Sequence, residues 1–297
     1  MSTVNSVEAA IFEVPGPRGR RRIAIASVLC VLVFAVLAVL ALLAFARHGQ
    51  LSARQWRPYT QWPILHFLLT GLGGTLEITA VSGAIALPIG VLLALGRISR
   101  SRVLRWPAAL YVELFRALPL LLLVYAFLLG LPELGVSMPQ FWQLVWPIVL
   151  TNAAVLAEIF RAGVRAVPTG QGEAAAALGL RYRQTMGLII LPQALRQVTP
   201  ALVGQVIRLL KDSALGYVVS YFELLTAGKV LGEYDGTVLQ SFLVVAAFYI
   251  VINNLLAMAA SHLERRTAKQ KESSAPHVPS PGRRVQAAID RLRTPRR

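Results

Sequence analysis

The run from Ile23 to Ala46 carries no charged residue and is about 24 residues long, enough to cross the roughly 30 Å hydrocarbon core of a bilayer. In lipid such a segment has to be a helix, because each backbone N–H and C=O must find its partner within the segment. Further apolar runs follow at Gly71–Leu95, Ala108–Leu131, Leu144–Phe160, about Val198–Ser220 and Val238–Ser261. Six spans are therefore predicted. With 56% hydrophobic and only 15% charged residues over 297 positions, the chain is not an ordinary soluble globule. The expected fold class is an all-α membrane protein, a multi-span helical bundle.

The distribution of positive charge orients these spans. Of the 30 Lys and Arg residues, four precede Ile23, four lie in Arg97–Arg105, five in Arg161–Arg196 and ten after Ser261. The alternate loops carry only Arg47, Arg54, Arg57 and Lys229. The positive-inside rule then predicts both termini, the Arg97–Arg105 loop and the Arg161–Arg196 loop on the cytoplasmic side. This placement accounts for most of the net charge of +16, so nucleic-acid binding is set aside. The basic runs at Arg20–Arg22 and Arg291–Arg297 suit anionic headgroups of membrane lipids.

Residues 1–22 read as a basic, irregular N-terminal segment, interrupted by Pro15, Gly16, Pro17 and Gly19. Residues 23–46 read as an uncleaved N-terminal transmembrane helix. A secretory signal ending at Ala44-Phe45-Ala46 is the alternative, but its apolar stretch would far exceed the usual 7–15 residues. Arg47–Trp62 is expected to be an external connector, with Trp56, Tyr59 and Trp62 as interface anchors. Tyr221–Gly236 is expected to be an external loop, and residues 263–297 a basic, disordered tail with Ser273–Gly282 as linker and a possible short amphipathic helix over Arg283–Arg293. Cys30 is the single cysteine, so no disulfide within the chain or cysteine metal cluster can form.

Between the fourth and fifth apolar runs lies a different kind of segment, QGEAAAALGLRYRQTMGLIILP over Gln171–Pro192. Its small residues allow close approach of a partner backbone, and Gly179 can end a helix in the left-handed region. Pro192 and Pro200 are expected to keep the next helix from running back into it. A compact helix–turn–helix on the aqueous side of a membrane protein is a docking surface for something soluble. Glu173-Ala174-Ala175, then Gly179, Ile189 and Leu191-Pro192 also match, position by position, the E-A-A…G…I-x-L-P loop of ABC-importer permeases, which the chain resembles.

The resemblance extends to Gly71–Ser99, to the Tyr111, Glu113, Phe115, Arg116 and Pro119 pattern, to Asn152–Ala175, and, with Asp212-Ser213 as a departure, to Leu209–Leu225. It is to the permease subunits of polar amino-acid importers, of the histidine, glutamine and glutamate type. It implies a five-helix type I importer core over residues 64–262, with its coupling loop at 163–196, preceded by an extra N-terminal helix. It further implies a cytoplasmic ABC ATPase dimer seated on that loop, a second permease subunit (the same chain or a relative) and an extracytoplasmic solute-binding protein. The expected setting is the bacterial cytoplasmic (inner) membrane, and the expected cargo glutamate, glutamine, aspartate or a similar amino acid.

Ionisable residues within apolar runs cost about 2.5–3.5 kcal/mol each on insertion scales unless paired or hydrated, so they are candidates for function. Glu113 and Arg116 are three apart and can pair on one helix face, as can Glu158 and Arg161. Arg208 and Asp212 are four apart, with Lys211 alongside. Arg116, Lys211 and Asp212 are the candidate residues of a polar translocation pathway. Asn152, Asn253 and Asn254 fit helix–helix hydrogen bonding, and glycines 71, 73, 74, 83 and 90 fit close helix packing. No phosphate-binding loop is present, since Gly228-Lys229 is followed by Val230. The chain is therefore expected to bind no cofactor and to catalyse nothing, with ATP and magnesium used by the partner ATPase. The four histidines (48, 66, 262 and 277) are too scattered for a metal site. An ion-gradient-driven secondary transporter and a non-transporting membrane scaffold are the alternative readings.

Overall fold

The computed structural model describes residues 16–274. Among them the ordered elements are helical, with no strand. Helix α1 spans Pro17–Arg47, and α2 spans Trp62–Ile98. Helices α3 (Arg102–Ala117) and α4 (Leu120–Glu133) follow as a bent pair. Then come α5 (Gln140–Arg165) and the short α6 (Thr169–Ala177). A long helical run, α7, covers Tyr182–Tyr217. Helix α8 is Leu224–Asp235, and α9 runs Val238–Ser274. Five helices are long and apolar enough to cross a membrane, or six when the bent pair is taken as one span. An all-α, multi-span bundle is what the apolar runs predicted.

The core is built on α2 against α5, with α7, α3 and α8 packed around that pair. Ile78 and Ala86 of α2 meet Leu144, Ile148 and Ala153 of α5 in one cluster, and all five are fully buried. A glycine sets how closely these helices approach. A Cβ at Gly90 would lie 2.6 Å from the Leu156 Cβ and 3.1 Å from the Ala153 carbonyl oxygen. Of the five glycines read as packing sites, Gly71, Gly74 and Gly90 meet such close neighbours. Gly83 makes an ordinary contact with Leu209, and Gly73 faces open space. Helix α1 stands apart, with its membrane-length stretch unburied.

Several boundaries differ from those the sequence predicts. The third span is not straight, because α3 and α4 meet at 97°. Leu118 at the corner is extended (φ −79°, ψ 130°), the conformation that a following proline imposes on its neighbour, and Pro119 heads the next helix. The N-terminal helix begins at Pro17 rather than near Ile23. Proline is at home in a first turn, where its missing N–H would have no partner anyway. Tyr221–Gly236 is not a loop, since most of it is α8, packed on α2 and α9. Helix α9 continues to Ser274, past the apolar limit at Ser261. Residues 1–15 and 275–297, with the Arg283–Arg293 segment, lie outside the described residues.

Pro192 and Pro200 do not stop a helix, since both sit inside α7. Pro192 is preceded by a wide π-helical stretch, Thr185–Ile190, and Pro132 in α4 is likewise preceded by one, Ala126–Gly130. A wider turn relieves the clash between a proline ring and the preceding carbonyls, which lets the helical run continue. The connector before α2 is also more than an interface anchor. Tyr59 is buried, and its hydroxyl shares a 2.7 Å hydrogen bond with Thr237 Oγ1 just before α9. Gln240 reaches the same connector, donating to the Gln50 carbonyl at 2.7 Å. Trp62 is exposed, as an interface anchor would be.

Candidate functional site

The Gln171–Pro192 segment folds as helix α6, a turn and the first turns of α7. Gly179 is left-handed (φ +74°), as its position suggested. Its N–H donates to the Ala176 carbonyl at 2.9 Å, and the Leu180 N–H donates to the Ala175 carbonyl at 3.1 Å. Those two bonds make a complete Schellman closure, which satisfies carbonyls the helix end would otherwise leave bare. Arg181 then caps α7 in a box with Gln184, whose side chain accepts from the Arg181 N–H at 2.9 Å. Gln193 Nε2 donates to Gln171 Oε1 at 3.3 Å and to the Ile189 carbonyl at 2.9 Å, tying the two limbs together.

Of the residues read as the docking motif, Ala175 is buried in the packing of α6 on the Thr185–Ile190 stretch. Ile189 and Leu191 are half-buried, and Pro192 is exposed. Glu173, Ala174 and Gly179 face outward, beside Leu178 and Leu188 at 79% and 70% exposure. Two bare leucines next to alanines and a carboxylate form an apolar surface with a polar rim. A soluble partner can cover such a surface. The leucines were not singled out by sequence; their exposure depends on the left-handed turn between them.

At the same end of the bundle, charges from three helices meet. Glu158 accepts from Arg97 Nη1 at 2.9 Å and from Arg161 Nε at 3.0 Å, with a second bond from Arg161 Nη2. Arg97 Nη2 also reaches Glu113 at 3.1 Å. The predicted Glu158–Arg161 pair is present. The predicted Glu113–Arg116 pair is not, because Arg97 at the end of α2 takes Glu113 instead. Arg100 lies over the Tyr182 ring at 4.6 Å, linking the α2–α3 turn to the start of α7.

Deeper in the bundle, Asp212 is held by another helix rather than by Arg208 four residues away. Asp212 accepts from Asn152 Nδ2 at 3.2 Å. Asn152, fully buried, takes a hydrogen bond from buried Gln205 on its other side. This Gln205–Asn152–Asp212 chain joins α5 to α7. Lys211 is exposed beside it, and Arg116 is exposed on α3. Neither cation forms an ion pair within 4 Å among the described residues. Among the described residues, Asn253 and Asn254 make no such interhelical bond. The Asn254 amide instead donates back along its own helix, to the Ile250 carbonyl one turn earlier.

Sequence reading missed Glu223. Its side chain is fully buried at the N-terminus of α8 and accepts from the N–H groups of Leu225 at 2.7 Å and Thr226 at 2.6 Å. Thr226 Oγ1 donates at 2.8 Å and the Tyr249 hydroxyl at 3.3 Å. Burial pushes the Glu223 carboxyl above the usual carboxylate range, and these four donors oppose that rise. Next door, the Tyr221 hydroxyl donates to Glu77 at 2.8 Å. Burial, with the Glu77 carboxylate in support, pushes that phenol up to about 12. In sequence Glu223 falls within Tyr221–Gly236, the segment expected to be an external loop.

Known proteins share this architecture. The family described as binding-protein-dependent transport system inner membrane component matches residues 86–269. The glutamate transport permease GluD of Corynebacterium glutamicum is 39% identical over 246 residues, 79% of this chain and 89% of that protein. The arginine transport permease ArtQ of Bacillus subtilis is 36% identical over 205 residues, 69% of this chain and 94% of the relative. A crystal structure of an amino acid ABC transporter with histidines superposes with a TM-score of 0.66 at 31% identity, covering 68% of this chain and 94% of that one. The chain is a multi-pass inner-membrane protein and belongs to the binding-protein-dependent transport system inner membrane component family.

Proposed function

We propose that the chain is the membrane-spanning permease subunit of an ABC importer for a polar amino acid, with both termini and the α6 element in the cytoplasm. It is a transporter subunit rather than an enzyme, and ATP and magnesium are handled by a separate ATPase dimer. A second permease subunit and an extracytoplasmic solute-binding protein complete the assembly. The observation that carries the reading is the Glu173–Pro192 element, a rigidly closed helical hairpin presenting Glu173, Leu178 and Leu188 to a soluble partner. ATP binding to the partner and arrival of the loaded binding protein each favour one of two bundle arrangements, and the hairpin transmits the first of these.

Arg116, Lys211 and Asp212 border the proposed pathway. The exposed cations suit a substrate carboxylate, while Asp212, held by Asn152, suits its ammonium. The glutamate and arginine permeases among the relatives support an amino-acid cargo, and we take glutamate, glutamine or aspartate as the first candidates. Co-purification with the ATPase and uptake of labelled glutamate into vesicles test the reading. Glu173→Lys should sharply reduce both while leaving the permease itself folded. Undiminished complex and uptake in that variant would remove the docking role, and uptake without any ATPase would favour a gradient-driven carrier.

A further inference from the structure

The ends of α2, α3 and α5 enclose a shallow pocket of about 270 Å³, lined by Arg97, Arg105, Trp106, Ala109, Arg161 and Arg165. Four guanidinium groups around one small opening is an unusual concentration of positive charge. Two of them are already engaged, since Arg97 and Arg161 bind Glu158, and Arg97 also binds Glu113. Arg105 and Arg165 are exposed and form no ion pair within 4 Å among the described residues. Four cations against two carboxylates leave a net positive site. Its free donors point to an anion with several acceptor oxygens, which guanidinium forks match well.

The surroundings decide which anion. From the pocket, Val103, Trp106, Leu110 and Leu114 descend one face of α3, at 80%, 70%, 69% and 49% exposure. Their spacing of three to four residues makes a continuous apolar stripe. A ligand that fits both features has an anionic head for the arginines and hydrocarbon chains for the stripe. Trp106, between the two, stands where an indole favours the headgroup boundary. Because α5 ends at Arg165 and α6 begins at Thr169, the pocket faces the same side of the membrane as the docking hairpin.

We propose that this pocket binds the phosphodiester headgroup of an acidic glycerophospholipid in the cytoplasmic leaflet, with its acyl chains along α3. Basic pockets between transmembrane helices on that side are suited to such headgroups. The bound lipid would place its single phosphodiester charge between Arg105 and Arg165, where α2, α3 and α5 meet and α5 leads into the docking hairpin. The leaflet assignment rests on the orientation proposed above. The site itself rests on the arginines and the stripe.

Native mass spectrometry of the full chain in neutral detergent tests it, with added phosphatidylglycerol, phosphatidylcholine or inorganic phosphate. Saturable retention of phosphatidylglycerol over phosphatidylcholine is expected. Arg105→Ala with Arg165→Ala should weaken it by roughly fivefold per guanidinium removed. Arg54→Ala with Arg57→Ala, equal in charge loss but remote and exposed, should leave it unchanged. Ala109→Trp, which fills the pocket without removing charge, should also lower retention, so a folding defect in the arginine variant does not decide the outcome. Equal loss in the remote variant, or none in both pocket variants, would overturn the site. Displacement of the lipid by millimolar inorganic phosphate would overturn the lipid in favour of a free anion. ATPase co-purification, followed in parallel, reports separately on the docking reading.

Discussion

Asn152 on α5 donates to the Asp212 carboxylate on α7 across 3.2 Å, and the same amide accepts from Gln205. One buried side chain therefore holds the Asp212 carboxylate and satisfies a second buried amide. Asn152→Ala should leave both partners short of a bond, costing about 1–3 kcal/mol for a buried group left unpaired. Asp212→Asn keeps the shape and a hydrogen-bonding group while removing the charge. Thermal unfolding in detergent should fall for Asn152→Ala and hold for Asp212→Asn, whereas uptake should fall in both. Native uptake in Asp212→Asn would exclude the carboxylate from the pathway.

Gly179 closes the hairpin between α6 and α7 at φ +74°. A Cβ there meets nothing within 4 Å, so any penalty is one of backbone conformation rather than of space. Gly179→Val should cost about 1–2 kcal/mol in the left-handed region, loosening the turn and weakening ATPase co-purification. Gly179→Asn, which tolerates that region better, should retain most of the complex. Equal behaviour of the two variants would separate the turn geometry from docking.

The cluster at the helix ends should behave as a unit. Glu158 holds Arg97 and Arg161, whose side chains are only 14% and 17% exposed. Glu158→Gln leaves two sheltered guanidiniums facing a neutral amide, a loss of about 1–3 kcal/mol once its own partial exposure is allowed for. Adding Arg161→Gln should restore part of that stability, because one stranded charge is removed. A double variant no more stable than Glu158→Gln in thermal unfolding would show that the two residues are not coupled.

What could be read in advance was local. Unbroken apolar runs fix the spans, because hydropathy and length are properties of a single segment, and Gly179 was legible because its turn closes on carbonyls three and five residues away. The break at Leu118-Pro119 was also written in a local signal, the restriction proline places on its neighbour, but an apolar run hides it. Partner choice was not legible. Glu113 had Arg116 within reach on its own helix yet pairs with Arg97 from α2, and Asp212 had Arg208 yet binds Asn152 from α5. Those choices are set by helix packing. Glu223 is a mixed case: its donors from Leu225 and Thr226 are local, but the Tyr249 hydroxyl of α9 at 3.3 Å comes from packing.

Glu223 gives the last prediction. Burial raises its carboxyl above the unfolded value, against the donors from Leu225, Thr226 and Tyr249. A carboxyl raised on folding binds its proton more tightly in the native state. Its contribution to stability is thus complete below the unfolded value, near 4.3 for glutamate, and is lost as pH rises through the folded one. Glu223→Gln cannot ionise, so its stability lacks that slope. Its amide also sets one N–H group against the backbone donors of α8, an offset that does not depend on pH. Thermal unfolding of both proteins from pH 4.5 to 8 should therefore show the native chain losing ground relative to Glu223→Gln as pH rises. Parallel curves across that range would mean that Glu223 keeps the same charge throughout, with the α8 N-terminus strong enough to hold a buried carboxylate ionised.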